Sequence, residues 1–201
     1  MNPLQSHRIN NVILFFAQEH KKKKREPLTL MGLLKYLAFF EFDLLKETGV
    51  PPLQLHYEAW KWGPVAEEIY SKFRANDKYQ DDYIKIQHVK GNGVNAVELE
   101  IRILPNNNTF DTDYFTKDEI EELNRLIEIF ADKMVSAKLM SDASHEEILS
   151  WKIAWSEKRK EMYLSDTFPN LDTKSVESLK FPEERFKGFL ASEKILGSST
   201  R

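Results

Sequence analysis

Apolar side chains recur along residues 5–20 at Ile9, Val12, Ile13 and Phe16, one face of a 3.6-residue period, which predicts a first helix. A second helix is predicted over about 30–47. Leu30, Leu33, Leu34, Leu37, Leu44 and Leu45 keep helical spacing, and Tyr36, Phe39, Phe40 and Phe42 make the other faces apolar too. A helix apolar nearly all round belongs at the centre of a core. Thr29 suits its N-cap, Gly49 suits its end, and Pro51-Pro52 prevents its resumption. After an aromatic stretch, Gly63-Pro64-Val65 reads as the start of a helix over about 64–75. Proline is favoured at a first helical position, and Glu67 and Glu68 suit the positive end of the helix dipole. Residues 83–90 and 95–104 alternate instead, with Ile84 and Ile86 in one and Val97, Leu99, Ile101 and Ile103 in the other. With the turn signal Gly91-Asn92-Gly93 between them, they predict a β-hairpin with one buried face.

Beyond a polar connector (105–113), Thr116 and Glu119 have capping-box spacing before a helix over about 117–140. Its stripe of Ile120, Leu123, Ile127, Phe130, Met134 and Ala137 reads as core-facing rather than as a coiled-coil seam. Ser144 and Glu147 form a second such box before a helix over about 145–163, carrying Ile148, Trp151, Ile153 and Trp155. A proline-punctuated stretch follows, then a short helix over about 182–196 with Phe186, Phe189, Leu190 and Ile195, and a frayed tail. No repeat or low-complexity linker interrupts the chain. The expected class is therefore α+β: a mainly helical single domain with one β-hairpin inserted between helical blocks. Residues 1–27 form an N-terminal helix and basic run, 28–163 the main domain, and 164–201 a C-terminal extension packing on it.

The 201 residues can bury a core without staples, and 41% hydrophobic with 30% charged residues argues against disorder. A net charge of -3 leaves no whole-protein attraction to nucleic acid. The run Lys21–Arg25 reads as a solvated helix end, where cations suit the carbonyl dipole and no aromatic interleaves for base stacking. With no helix-turn-helix visible, DNA binding has only that run to rest on. The absence of cysteine excludes disulfides, thiolate zinc sites and a cysteine nucleophile. The run VILFFA (12–17) is too short for a secretory signal and nothing approaches about 20 apolar residues, so a cytoplasmic protein off the membrane is expected.

Catalytic chemistry is hard to find. His7, His20, His56, His88 and His145 form none of the local zinc spacings, and neither GxSxG nor a P-loop is present. Adjacent acid pairs such as Glu121-Glu122 point about 100° apart on a helix and do not converge on one atom. The expectation is a protein that is not an enzyme and uses neither metal nor cofactor; the alternative is an enzyme whose site, assembled from distant residues, is not visible in sequence. The stretch HYEAWKWGPV (56–65) is the strongest local feature. Aromatic rings bury about 150–250 Å² each, so Tyr57, Trp60 and Trp62 can wedge a structural corner against the apolar second helix. Trp and Tyr also dominate interface hot spots, so the same corner can carry a partner-binding surface.

Two blocks in this order resemble the SocA/Panacea antitoxin domain. In the first (30–73), a leucine-rich helix is followed by Thr-Gly, a proline, then Tyr-x-x-Trp-x-x-Gly-Pro-Val and a further Tyr. In the second (116–155), an acidic helix precedes a Ser-Ala-x-Leu run, then His and Trp six residues apart. The family's signature positions fall on Tyr57, Trp60, Gly63, Pro64, Val65, Tyr70, Ser136, Leu139, His145 and Trp151; with Trp62 the aromatic positions are candidates for partner binding. One departure stands out: where the family helix reads Tyr-x-Ala-Asp, residues 36–41 read YLAFFE, leaving Glu41 as the nearest acid. The resemblance implies a non-enzymatic, bacterial or prophage-borne antitoxin that neutralises a co-encoded toxin by direct protein–protein interaction. An adaptor that delivers its partner to a AAA+ protease is the family's other mode, and a homo-oligomer is compatible with either. At the first turn of its helix, His145 is expected to bond a carbonyl of the aromatic corner or to act as a titrating switch.

Overall fold

The computed structural model describes residues 3–90 and 99–196. The first helix, α1 (Pro3–Lys24), lays Ile9, Val12, Ile13 and Phe16 against α2 (Leu30–Thr48), which is buried along most of its length. Phe16 and Tyr36 stack across that contact with centroids 4.5 Å apart. Thr29 caps α2 as expected, its Oγ1 accepting the Gly32 N–H at 3.1 Å. Gly49 ends it at φ 75°, its N–H returning to the Leu45 carbonyl at 2.8 Å. Only a residue without a Cβ takes that left-handed shape freely.

The hairpin expected between the helical blocks is present as β4 (Ile84–Lys90) paired antiparallel with β5 (Leu99–Pro105). Ile84, Ile86, Ile101 and Ile103 form its buried face. The Gly91-Asn92-Gly93 turn and Val97 lie outside the described residues. A two-residue strand, β1 (Leu28–Thr29), adds to β5, giving the order β1-β5-β4.

Gly63-Pro64-Val65 is not a helix start. It belongs to β3 (Gly63–Ala66), antiparallel to β2 (Tyr57–Trp60), and helix α3 (Glu67–Ala75) begins only afterwards. Lys61 and Trp62 make the turn, and Gly63 follows it at φ 98°. Pro64 is tolerated because β3 is the outer strand. The other edge of β2 is taken by residues 160–162: the Ala59 N–H donates to the Lys160 carbonyl at 2.7 Å and the Met162 N–H to the Tyr57 carbonyl at 3.0 Å. A missing N–H costs little where no strand waits for it.

The helix expected over 117–140 is two helices, α4 (Lys117–Phe130) and α5 (Ala137–Glu147). The Thr116–Glu119 capping box opens α4 with both of its hydrogen bonds, at 3.3 and 2.7 Å. Side chains then compete with the helix backbone. Asp132 Oδ1 accepts the Met134 N–H at 2.8 Å, and Ser136 Oγ accepts the Leu139 N–H at 3.2 Å, which starts α5. Met134 leaves the core stripe and stands 84% exposed. The second box, unlike the first, is not a cap. Ser144 is buried inside α5 and donates to the Ser141 carbonyl at 2.7 Å; the chain bends at Ile148 and α6 spans Leu149–Ser156. Three short turns lead to α7 (Phe181–Leu196), which packs on α2, with Phe186 fully buried against Phe168.

Candidate partner-binding site

The alternation of β2 sends its side chains to opposite sides. Tyr57 points inward, 1% exposed, with its ring 5.2 Å from Phe42 of α2. Trp60 lies at the rim, edge-on to Tyr70 of α3 at 4.8 Å, and its Nε1 donates to Glu58 at 2.7 Å. Trp62, on the turn, is 52% exposed, with the Lys61 ammonium 5.0 Å from its ring centre. One tyrosine braces the core, one tryptophan seals an edge, and one tryptophan is presented outward. Val65 is buried beneath them.

The turn is gripped by two of its own carbonyls. Trp151 Nε1 donates to the Trp60 carbonyl at 3.1 Å, and Ser141 Oγ donates to the Trp62 carbonyl at 2.7 Å. Trp151 sits in a ladder of rings, stacked on His145 at 4.0 Å and on Trp155 at 5.4 Å. Trp155 forms the outer rung, 47% exposed. His145 occupies the last turn of α5, not the first turn of the following helix, and does not bond a corner carbonyl. Its Nε2 is buried without a partner, and burial followed by the Lys35 charge lowers its pKa. Its ring lies flat against the Trp151 indole, 11° from parallel. Ser136 and Leu139 belong to the start of α5, where Ser136 is the N-cap and Leu139 is exposed.

Beneath the turn lies a group that the motif spacing did not mark. Lys35 is the one charged residue between Leu30 and Phe40. It is buried, and its ammonium donates to the Pro64 carbonyl at 3.1 Å. Burial lowers its pKa to about 7. Gly63 makes room for it: a Cβ there would lie 2.7 Å from Lys35 Nζ and closer still to Ser144 Oγ. So α2, β3 and α5 meet at one glycine.

Glu41, the acid nearest to the family's aspartate, lies wholly inside. Its Oε2 accepts the Leu53 N–H at 2.9 Å, which ties down the loop that delivers β2. Its other oxygen and the Tyr57 hydroxyl are buried without partners. Burial pushes the Glu41 carboxyl up to about 8, against the backbone N–H groups of residues 53–55. A pKa raised from 4.5 contributes stability that is present at low pH and lost as pH climbs through about 8. Lys35 runs the other way: its contribution is present above 10.5 and is lost as pH falls through about 7. The stability difference between Glu41→Gln and the unmodified protein isolates the first. That difference is expected to favour the variant by about 1 kcal/mol more at pH 9 than at pH 7. Urea denaturation at both pH values checks this, and a difference that does not change with pH contradicts it.

Among the described residues no group of three or more His, Cys, Asp or Glu is placed to hold a metal ion, and no helix is long and apolar enough to cross a membrane. Residues 33–152 match the family of the antitoxin SocA-like, Panacea domain, a span that contains the aromatic corner from Tyr57 to Tyr70 and the ladder rungs His145 and Trp151, but not Trp155. All of α1, β1 and α7 lie outside it. No curated protein and no solved structure matches the chain.

Proposed function

The chain belongs to the antitoxin SocA-like, Panacea domain family, and from that membership we propose that it neutralises a co-encoded toxin by binding it directly. The match over residues 33–152 carries the proposal. The corner supports it physically. Masking another protein requires a stiff scaffold with exposed anchors, and large aromatic side chains are the residue types that supply such anchors at low entropic cost. Trp62 and Trp155 are exposed on such a scaffold, and the groups beneath them are held by side-chain hydrogen bonds to the backbone. Nothing in this mode needs a reactive group, and we read the protein as a binding module rather than an enzyme.

Co-expression with the adjacent open reading frame tests the proposal. The neighbour alone is expected to arrest growth, and this chain to restore it. Trp62→Ala is expected to weaken the complex about tenfold or more while leaving the fold intact, because the ring is mostly in solvent. A harmless neighbour, or arrest that persists with this chain present, refutes direct neutralisation. The neighbour's half-life separates masking from delivery to a protease: it stays unchanged under masking and shortens if the chain acts as an adaptor.

A further inference from the structure

The basic run at the end of α1 is only partly explained by the fold. Lys23 Nζ meets the Glu128 carboxylate at 2.5 Å, and Lys24 Nζ donates to the Val135 carbonyl at 2.5 Å. These two lysines close the C-terminal end of α4 and its loop to α5, where the carbonyl dipole favours positive charge. Lys22 pairs with Glu19. Among the described residues, Lys21, Arg25 and Lys133 have no carboxylate partner, and all three are exposed. The same contacts bring this charged end against the loop that carries Met134, which is 84% exposed, and the end of α4 that carries Ile129, which is 43% exposed. In a protein of net charge -3, unpaired cations and solvated apolar side chains are thus gathered in one place.

We propose that this end is a second interaction surface, one that takes an acidic segment of a partner protein bearing an apolar residue. The unpaired cations answer the carboxylates, and Met134 is the flexible apolar contact, a side chain suited to adapting to varied partners. Nucleic acid fits less well. No exposed aromatic lies within residues 19–26 or 128–136 to stack on a base, and the two rings there, His20 and Phe130, are buried. This surface lies on elements other than the β2–β3 hairpin, and its existence does not depend on toxin neutralisation.

The probe is a fluorescein-labelled peptide of alternating glutamate and leucine blocks, titrated with the full chain and followed by anisotropy. A peptide with lysine in place of glutamate and a 20-base-pair duplex serve as comparisons. The acidic peptide is expected to bind, more weakly as salt rises from about 50 to 300 mM. The triple variant Lys21→Glu, Arg25→Glu, Lys133→Glu is expected to weaken it about tenfold, and Met134→Ser about threefold. All four positions are exposed, so unchanged thermal unfolding will show that these variants fold. Equal binding by the triple variant, no effect of Met134→Ser, or tighter binding of the duplex than of the acidic peptide each overturns the proposal. Growth assays with the toxin play no part here, so failure of the neutralisation reading leaves this result intact.

Discussion

Gly63→Ala is expected to lower the unfolding free energy by about 3–5 kcal/mol, a large share of the roughly 5–15 kcal/mol that holds a typical domain folded. Two penalties coincide at this position. The backbone stands at φ 98°, a conformation that costs a residue with a Cβ about 1–3 kcal/mol. The added methyl also enters the space held by Ser144 Oγ and Lys35 Nζ. Lysine can usually swing away, but here its ammonium is buried and anchored on the Pro64 carbonyl, so moving it strands a polar group. Ser144 Oγ can yield only by changing rotamer inside a buried site, which breaks its bond to the Ser141 carbonyl. Urea denaturation measures the loss. A change under about 1 kcal/mol would mean that the three elements do not meet at this glycine as described.

Trp151→Ala is expected to cost about 3–5 kcal/mol and to loosen the hairpin in particular. The indole is buried between His145 and Trp155, and its N–H holds the Trp60 carbonyl. Truncation removes both the packing and the grip. Trp151→Phe keeps much of the ring stack but lacks the donor, so it is expected to lose about 1–2 kcal/mol. Hydrogen exchange distinguishes a local from a general effect. The amides of residues 57–66 should exchange faster in both variants, by a larger factor than those in the centre of α2. Uniform acceleration along the chain would show that Trp151 supports the core as a whole and not the turn.

These two positions also show which features of the chain are local. The central helix could be read from its leucine spacing, its threonine cap and its terminal glycine, since each acts within one or two turns of backbone. The β4–β5 pairing and the Thr116–Glu119 box were legible for the same reason. The β2–β3 hairpin was not, because glycine followed by proline suits either a helix start or the outer strand of a hairpin. The choice was made by residues 160–162, which pair with the far edge of β2 although distant along the chain. Helices α4 and α5 were merged for a different reason: the apolar spacing runs across the break, while Asp132 and Ser136 spend their side chains on the local backbone. Ser144 had the spacing of a cap but proved to be a core serine under Gly63.

By itself, the sequence determined the buried helix with its threonine cap and terminal glycine, the absence of cysteine chemistry and the two motif blocks that carry the family. Those follow from dihedral preference and hydrophobic period, which neighbouring residues set together. Tertiary structure alone decided that Tyr57 turns inward while Trp62 faces water, that Trp151 and Ser141 hold the turn's carbonyls, and that Lys35 and Glu41 are buried ionisable groups on one helix. Each of those outcomes depends on which distant group arrives to accept a hydrogen bond or exclude water, and no local pattern encodes that arrival.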